Sequence, residues 1–138
     1  MTALRTIYRF WATLLFLAVL VQIGAAGYGA FNVSAHVNKA HPLSENTFDD
    51  GFSFHNGLGY AIFVGAVILL LLALAGRLGK RRVLFSLLAS VAVFVQILLA
   101  WAGEDHPVVG IFHPLNALVV FGLTGMLAHR AWRESATA

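Results

Sequence analysis

Four long runs of apolar residues, separated by short polar stretches, dominate the pattern of the chain. Each run holds about 20 residues, the length that a helix needs to cross the hydrocarbon core of a bilayer. In lipid a helix satisfies all its backbone polar groups internally. The pattern therefore predicts an all-α protein with a single integral membrane domain over 1–138, helices over about 7–30, 53–76, 82–102 and 107–132, and an outer loop over 31–52.

The composition also indicates a membrane protein. Hydrophobic residues make up 59% of the chain and charged residues 11%, which is too little charge to cover a soluble domain of this size. The absence of cysteine excludes disulfides, iron–sulfur ligation and covalent haem attachment through a CxxCH motif. The first apolar run is longer than the core of a typical signal peptide, so we expect it to be a retained helix.

The positive charges are distributed unevenly about the predicted helices. Because cytoplasmic flanks carry the excess of Lys and Arg, we expect both termini in the cytoplasm. The excess of basic over acidic residues then reflects membrane topology and contact with anionic lipid headgroups. The sequence has no pattern of a nucleic-acid-binding surface. Lys39 falls on the outer side, and the other eight basic residues fall on the inner side: Arg5, Arg9, Arg77, Lys80, Arg81, Arg82, Arg130 and Arg133.

The sequence contains a repeated helical hairpin. Residues 16–29 (FLAVLVQIGAAGYG) match residues 90–103 (SVAVFVQILLAWAG) at seven of fourteen positions, and the dipeptide FH at 54–55 returns at 112–113. Two crossings return the chain to its starting side, so both copies would have one orientation and a pseudo-two-fold axis along the membrane normal. We therefore expect an up-down-up-down transmembrane four-helix bundle built from a duplicated hairpin.

The repeat pairs His55 with His113 and Gln22 with Gln96. The second and fourth helices of such a bundle lie across its core from each other, so we expect the two histidines to face each other. Counted from the arginines at the inner ends of their helices, both histidines lie about 30 Å away, near the outer face. The same count places both glutamines about 20 Å from the inner end, deeper than the histidines.

Polar side chains inside a bilayer are costly and usually mark a function. Two facing histidines on opposite helices are an arrangement that ligates a b-type haem through its iron. Gly59 and Ala117, each four residues after its histidine, share a helix face with it and leave room for the haem ring. We expect Gln22 and Gln96 to bond to each other or to a ligand, and glutamines or backbone carbonyls to orient the imidazoles. The phenylalanines expected at the ring edge are Phe54, Phe63, Phe112 and Phe121.

Other interpretations of the polar residues stay open. A histidine near the outer face also serves as a headgroup-level residue, and a glutamine within a helix also joins helices without a ligand. His36, His41 and His106, with nearby carboxylates, are candidates for a divalent-metal site on the outer side, although no close spacing supports it. Ser44 or Asn46 is a candidate N-cap for the second helix.

The stretches FHNGLGY and FHPLNALVVFG, at the heads of the second and fourth helices, resemble a family of small, largely uncharacterised four-helix bacterial membrane proteins. The paired histidines also resemble membrane cytochromes b, including the four-helix b561-type bundles. That resemblance implies haem b and a place in the bacterial inner membrane. Such bundles usually hold two haems on two histidine pairs. Here His129 has no partner, and one outer haem cannot readily relay electrons across about 30 Å of hydrocarbon.

The sequence therefore predicts a membrane-embedded protein that binds one b-type haem near its outer face through His55 and His113. Electron transfer with a quinol or a periplasmic redox protein is the expected role. Two alternatives remain: a cofactor-free small subunit of a larger membrane complex, and a module that binds a small lipophilic ligand. The outer loop over 31–53 resembles no nucleophile–base set, P-loop or nucleotide fingerprint, and the sequence leaves open whether the protein is an enzyme.

Overall fold

The computed structural model describes residues 2–38 and 40–133, and within these residues the structure is all-α. It contains four helical spans long and apolar enough to cross a membrane, as the apolar runs predict, which indicates a multi-pass membrane protein. Lys39, the one basic residue predicted on the outer side, lies outside the described residues. The helices are α1 (Thr2–His36), α2 (Glu45–Ala75), α3 (Lys80–Asp105), the short α4 (Pro107–Gly110) and α5 (Phe112–Arg133).

The helices extend beyond the apolar runs. Residues 31–36 and 45–52, predicted as part of the outer loop, are helical, so that prediction is corrected. Ser44 caps α2, because its side-chain oxygen accepts a hydrogen bond from the backbone N–H of Thr47 at 3.2 Å, and this confirms one of the two predicted caps. An apolar run marks only the part of a helix that lies in hydrocarbon, so it does not reveal polar turns that extend the helix beyond that region.

Close glycine contacts join the helices near these extensions. A Cβ atom added to Gly29 on α1 would lie 2.8 Å from the carbonyl oxygen of Gly51 on α2. One added to Gly103 on α3 would lie 2.8 Å from the Cα atom of Gly110 in α4. Gly29 and Gly103 are equivalent positions in the repeat. Because glycine has no Cβ, these backbones approach each other more closely than any other residue would allow.

The connection from α3 to α5 is one short helix. His106 separates α3 from α4, and Pro107 begins α4, at a position where the missing N–H of proline is tolerated. The chain turns at Ile111 before α5 begins. The fourth predicted helix therefore exists as α4 and α5 rather than as one uninterrupted element.

Each long helix packs against two of the other three. α1 contacts α2 and α5, and α3 contacts the same two helices, so α2 and α5 lie across the bundle from each other. Much of the core consists of small side chains such as Ala66, Ala73 and Ala89, which let membrane helices approach closely. Large apolar side chains such as Leu14 and Leu71 are exposed, as expected for contact with lipid.

The two ends of the bundle differ in charge. At the basic end, where α1 and α3 begin and α5 ends, buried Tyr8 hydrogen-bonds to Ser86 at 3.0 Å. The opposite, acidic end carries the described carboxylates, and a cavity lies between the helices on that side. The basic end comprises Arg5, Arg9, Arg77, Lys80, Arg81, Arg82, Arg130 and Arg133, and the acidic end comprises Glu45, Asp49, Asp50, Glu104 and Asp105.

Candidate functional site

Two histidine–glutamine pairs join neighbouring helices by the same reciprocal hydrogen bonds. Between α1 and α2, Gln22 Nε2 donates to the carbonyl oxygen of His55 at 2.8 Å, and His55 Nδ1 lies 3.2 Å from the carbonyl oxygen of Gln22. Between α3 and α5, Gln96 Nε2 donates to the carbonyl oxygen of His113 at 2.8 Å, and His113 Nδ1 lies 3.0 Å from the carbonyl oxygen of Gln96. The residues that the sequence repeat pairs thus form the same unit in both halves.

These bonds determine which nitrogen of each imidazole carries the hydrogen. A backbone carbonyl oxygen only accepts hydrogen bonds, so Nδ1 of His55 and of His113 must be the donor. In a neutral imidazole the Nε2 atom then holds a lone pair. Histidines that ligate metals commonly donate their other ring N–H to such a carbonyl. The carbonyls of Gln22 and Gln96 are therefore the ring-orienting acceptors that the sequence predicts.

The two imidazoles meet across the bundle. The ring centroids of His55 and His113 lie 6.3 Å apart, with the ring planes inclined by 57°. Both side chains are half-buried. The prediction that the two histidines face each other is therefore confirmed, although α2 and α5 do not pack against each other along their lengths.

The predicted difference in depth between glutamines and histidines is wrong. Gln22 and His55 exchange hydrogen bonds, so they lie at the same level. In the first half of the chain, that prediction placed Arg9 and Arg77 at one level. Arg9 lies inside α1, about two turns after its start at Thr2, whereas Arg77 follows the end of α2.

A cavity of about 620 Å³ opens beside the two imidazoles, within the range of about 300–1,000 Å³ usual for ligand sites. The predicted small residues Gly59 and Ala117 both line it. A Cβ atom added to Gly59 would lie 3.1 Å from Gln22 Nε2, so this glycine leaves room for the glutamine amide as well. Other lining residues are mostly apolar and include Val19, Ile97, Ala100, Trp101 and Leu118, with Glu104 as the acidic member.

The phenylalanines predicted at the ring edge do not line the cavity. Phe54 and Phe112 are exposed. Each directly precedes a histidine, and successive residues on a helix point about 100° apart, so an inward histidine turns its neighbour away. Phe63 and Phe121 instead pack against phenylalanines of neighbouring helices.

Asn116 belongs to the site but was not among the predicted residues. Its Nδ2 atom donates to Gln96 Oε1 at 2.7 Å and to the carbonyl oxygen of Ala92 at 2.9 Å. The equivalent position in the first half is Leu58, and buried Gln22 Oε1 has no hydrogen-bond partner within the described residues. The sequence could have indicated Asn116 by its spacing, because a polar residue three positions after His113 lies on the same helix face.

No larger metal-ligating cluster accompanies the histidine pair in the part of the chain that the structure describes. Within residues 2–38 and 40–133, no three His, Cys, Asp or Glu side chains form a group that could hold a metal ion. The divalent-metal site considered for His36, His41 and His106 is therefore not formed by the described residues. His36 instead places Nδ1 2.8 Å from the carbonyl oxygen of Asn32 on its own helix, and His129 is exposed on α5.

In their neutral forms, the two imidazoles offer two Nε2 lone pairs, with each ring oriented by a carbonyl, beside a largely apolar cavity. Such a pair can ligate a metal centre or accept hydrogen bonds from a ligand. Comparison with known proteins gave no matching family model, curated protein or solved structure.

Proposed function

We propose that this protein binds one b-type haem between His55 and His113 and serves in electron transfer. The observation that carries the proposal is the facing pair of imidazoles, each with Nδ1 bonded to a glutamine carbonyl. That bond leaves the Nε2 lone pair of each ring for the iron. The rings belong to α2 and α5, which lie across the bundle from each other. The two imidazoles would therefore approach the iron from opposite sides.

The spacing of the rings fits a single metal centre. A metal–imidazole bond is about 2 Å, so two nitrogens on opposite sides of one ion lie about 4 Å apart. Adding about 1 Å from each nitrogen to its ring centre gives roughly 6 Å between the centroids. The observed separation of the His55 and His113 centroids is 6.3 Å. This centroid separation is therefore compatible with both rings holding one metal ion.

Haem fits the pair better than a bare metal ion. Protein sites for bare transition metals usually supply three or four ligands, and among the described residues no third metal-ligating side chain joins the two histidines. Haem brings its own ring of nitrogens and needs only axial ligands from the protein. The largely apolar cavity beside the imidazoles suits an apolar macrocycle.

Bound haem would supply one-electron redox chemistry. His55 and His113 would hold the iron, and the carbonyls of Gln22 and Gln96 would keep both rings oriented and more basic. A quinol or a periplasmic redox protein is the proposed partner. The likeness to b561-type cytochromes extends to this one histidine pair and not to a second, so we propose electron exchange at the acidic end only.

We also infer an up-down-up-down bundle in the bacterial inner membrane, built from a duplicated hairpin, with both termini in the cytoplasm. The matching histidine–glutamine units of the two halves support the duplication, and the basic end supports the orientation. Reporter fusions after residue 138 and within the α1–α2 connection test the topology. We expect the first to be cytoplasmic and the second periplasmic, and the reversed result contradicts this orientation.

The same cavity favours a second candidate function, the binding of a small lipophilic ligand. Nε2 of His55 and Nε2 of His113 would then accept hydrogen bonds from hydroxyl groups, such as those of a quinol, within an apolar pocket. A cofactor-free subunit that packs against a larger membrane complex is the remaining alternative. Only the haem proposal predicts visible absorption by the purified protein.

The deciding experiment is an absorption spectrum of the protein, expressed with added haem precursor and purified in mild detergent. We expect a Soret band and the low-spin spectrum of bis-imidazole haem. His55→Ala and His113→Ala should each abolish the low-spin spectrum, because each leaves the iron without one axial ligand. His129→Ala is the matched control on α5 and should keep it. Folded wild-type protein that binds no haem would contradict the proposal.

A further inference from the structure

A second cavity, of about 250 Å³, lies at the basic end, away from the histidine pair. Its polar lining is dominated by arginines of α3 and α5, and the rest is aromatic or aliphatic. The lining consists of Arg81, Arg82, Arg130, Arg133, Tyr8, Phe85, Leu127 and Ala131. Four arginines therefore line one small concave space whose other walls are aromatic or aliphatic.

Aromatic rings support two of these guanidinium groups. The Cζ atom of Arg130 lies 5.1 Å from the centre of the Phe85 ring, and the Cζ atom of Arg82 lies 5.7 Å from the centre of the Tyr8 ring. Both distances fall within the range of cation–π attraction. Tyr8 is itself buried and bonded to Ser86 at 3.0 Å. Arg82 and Arg130 are thus held near the cavity by aromatic rings.

Carboxylates are absent from this cavity as far as the described residues show. The described Asp and Glu residues all belong to the acidic end. Arg81, Arg130 and Arg133 make no ion pair with any described residue, and like charges that line one cavity repel one another. An anion bound among them would relieve that repulsion.

We propose that this basic cavity binds a phosphate group, carried by an anionic phospholipid or free in solution. Arginine presents a planar fork of N–H donors that matches phosphate oxygens. The cavity lies at the end of the spanning helices, where lipid headgroups meet a protein, and basic pockets between membrane helices are suited to such headgroups. The proposal is independent of haem.

Ligand-induced stabilisation of the full chain in neutral detergent tests the proposal, because a ligand that binds the folded state raises its melting temperature. The probes are short-chain phosphatidylglycerol, short-chain phosphatidylcholine and inorganic phosphate. We expect saturable stabilisation by phosphatidylglycerol. If inorganic phosphate also binds saturably, the cavity takes free phosphate; if it does not, the ligand is the lipid headgroup. Both results support a phosphate site, whereas the absence of saturable binding by both phosphatidylglycerol and inorganic phosphate overturns it.

The variants separate a built site from general electrostatic attraction. Arg81→Gln/Arg130→Gln removes two cations that line the cavity, and we expect binding at least tenfold weaker. Arg5→Gln/Arg77→Gln removes the same charge from the basic end outside the cavity and should change binding less than twofold. Equal losses in the two double variants overturn the proposal. Should the first variant fold poorly, Arg81→Lys/Arg130→Lys keeps the charge, and we expect severalfold weaker binding because the guanidinium fork is lost.

Discussion

Two hydrogen bonds, one in each direction, join Gln96 on α3 to His113 on α5. The side-chain amide of Gln96 donates to the backbone carbonyl of His113, while the ring N–H of His113 donates to the backbone carbonyl of Gln96. Gln22 and His55 repeat this exchange in the first half of the chain. Each unit ties two neighbouring helices together and fixes one imidazole, so the histidine pair depends on four helices at once.

The two glutamines should differ in their contribution to stability. Gln96 uses both ends of its amide, since its Oε1 also accepts from Asn116, whereas buried Gln22 Oε1 has no described partner. Hydrogen bonds between membrane helices contribute about 0.6 kcal/mol on average and up to about 1.7 kcal/mol. We expect Gln96→Leu to lower the free energy of unfolding in mixed micelles by about 1–2 kcal/mol, and Gln22→Leu by clearly less. A larger cost for Gln22→Leu would contradict this.

Asn116 and Leu58 should be partly interchangeable, because they occupy equivalent positions in the repeat. Asn116→Leu leaves Gln96 Oε1 without its donor, and we expect a loss of about 1 kcal/mol in the free energy of unfolding. Leu58→Asn places a donor near Gln22 Oε1, which has no partner among the described residues, so it should cost little.

Leu72→Asn is the matched control for Leu58→Asn. Both leucines are partly buried on α2 and pack against the core. Without an equivalent acceptor, a buried amide costs about 1–3 kcal/mol, so we expect Leu72→Asn to be the more destabilising change. Equal costs at both positions, measured in the same micelles, would argue against the duplicated arrangement.

Gly59 should be sensitive to added volume. It lines the cavity, and even a Cβ atom there would lie 3.1 Å from Gln22 Nε2. For the proposed haem site, we expect Gly59→Leu to reduce bound haem at least tenfold, measured as Soret absorbance per folded chain. Gly57, two residues earlier on α2, has no atom within 4 Å of an added Cβ. Gly57→Leu should therefore retain haem, and loss of haem in both variants would point to a general effect on α2.

Gly103 should tolerate no side chain at all. Its added Cβ would meet the Cα atom of Gly110 at 2.8 Å, and backbone cannot move aside as a side-chain end can. We expect Gly103→Ala to lower the free energy of unfolding by about 1–3 kcal/mol, as overpacking usually does. Gly122→Ala is the control, since an added Cβ there has open space. It should be neutral or raise stability by up to about 1 kcal/mol through helix propensity.

The sequence by itself determined the four spans and the pairing of the histidines. Crossing a bilayer is a local requirement, because each helix needs about 20 apolar residues and satisfies its backbone within itself. The repeat of VQI and FH made Gln22 equivalent to Gln96 and His55 equivalent to His113. That equivalence, together with successive helices that cross the membrane in opposite directions, was enough to predict that the two imidazoles face each other.

Only the tertiary structure decided which atoms form hydrogen bonds and at what depth along the bundle each polar residue lies. The glutamines lie level with the histidines, Asn116 joins the site, the phenylalanines turn away, and α1 and α2 continue past their apolar runs. These features depend on the shift and rotation of one helix against another. A helix that is apolar on every side has no polar face to mark its outward direction. Inward directions are instead set by contacts between helices, such as Gly29 on Gly51 and Gln22 on His55.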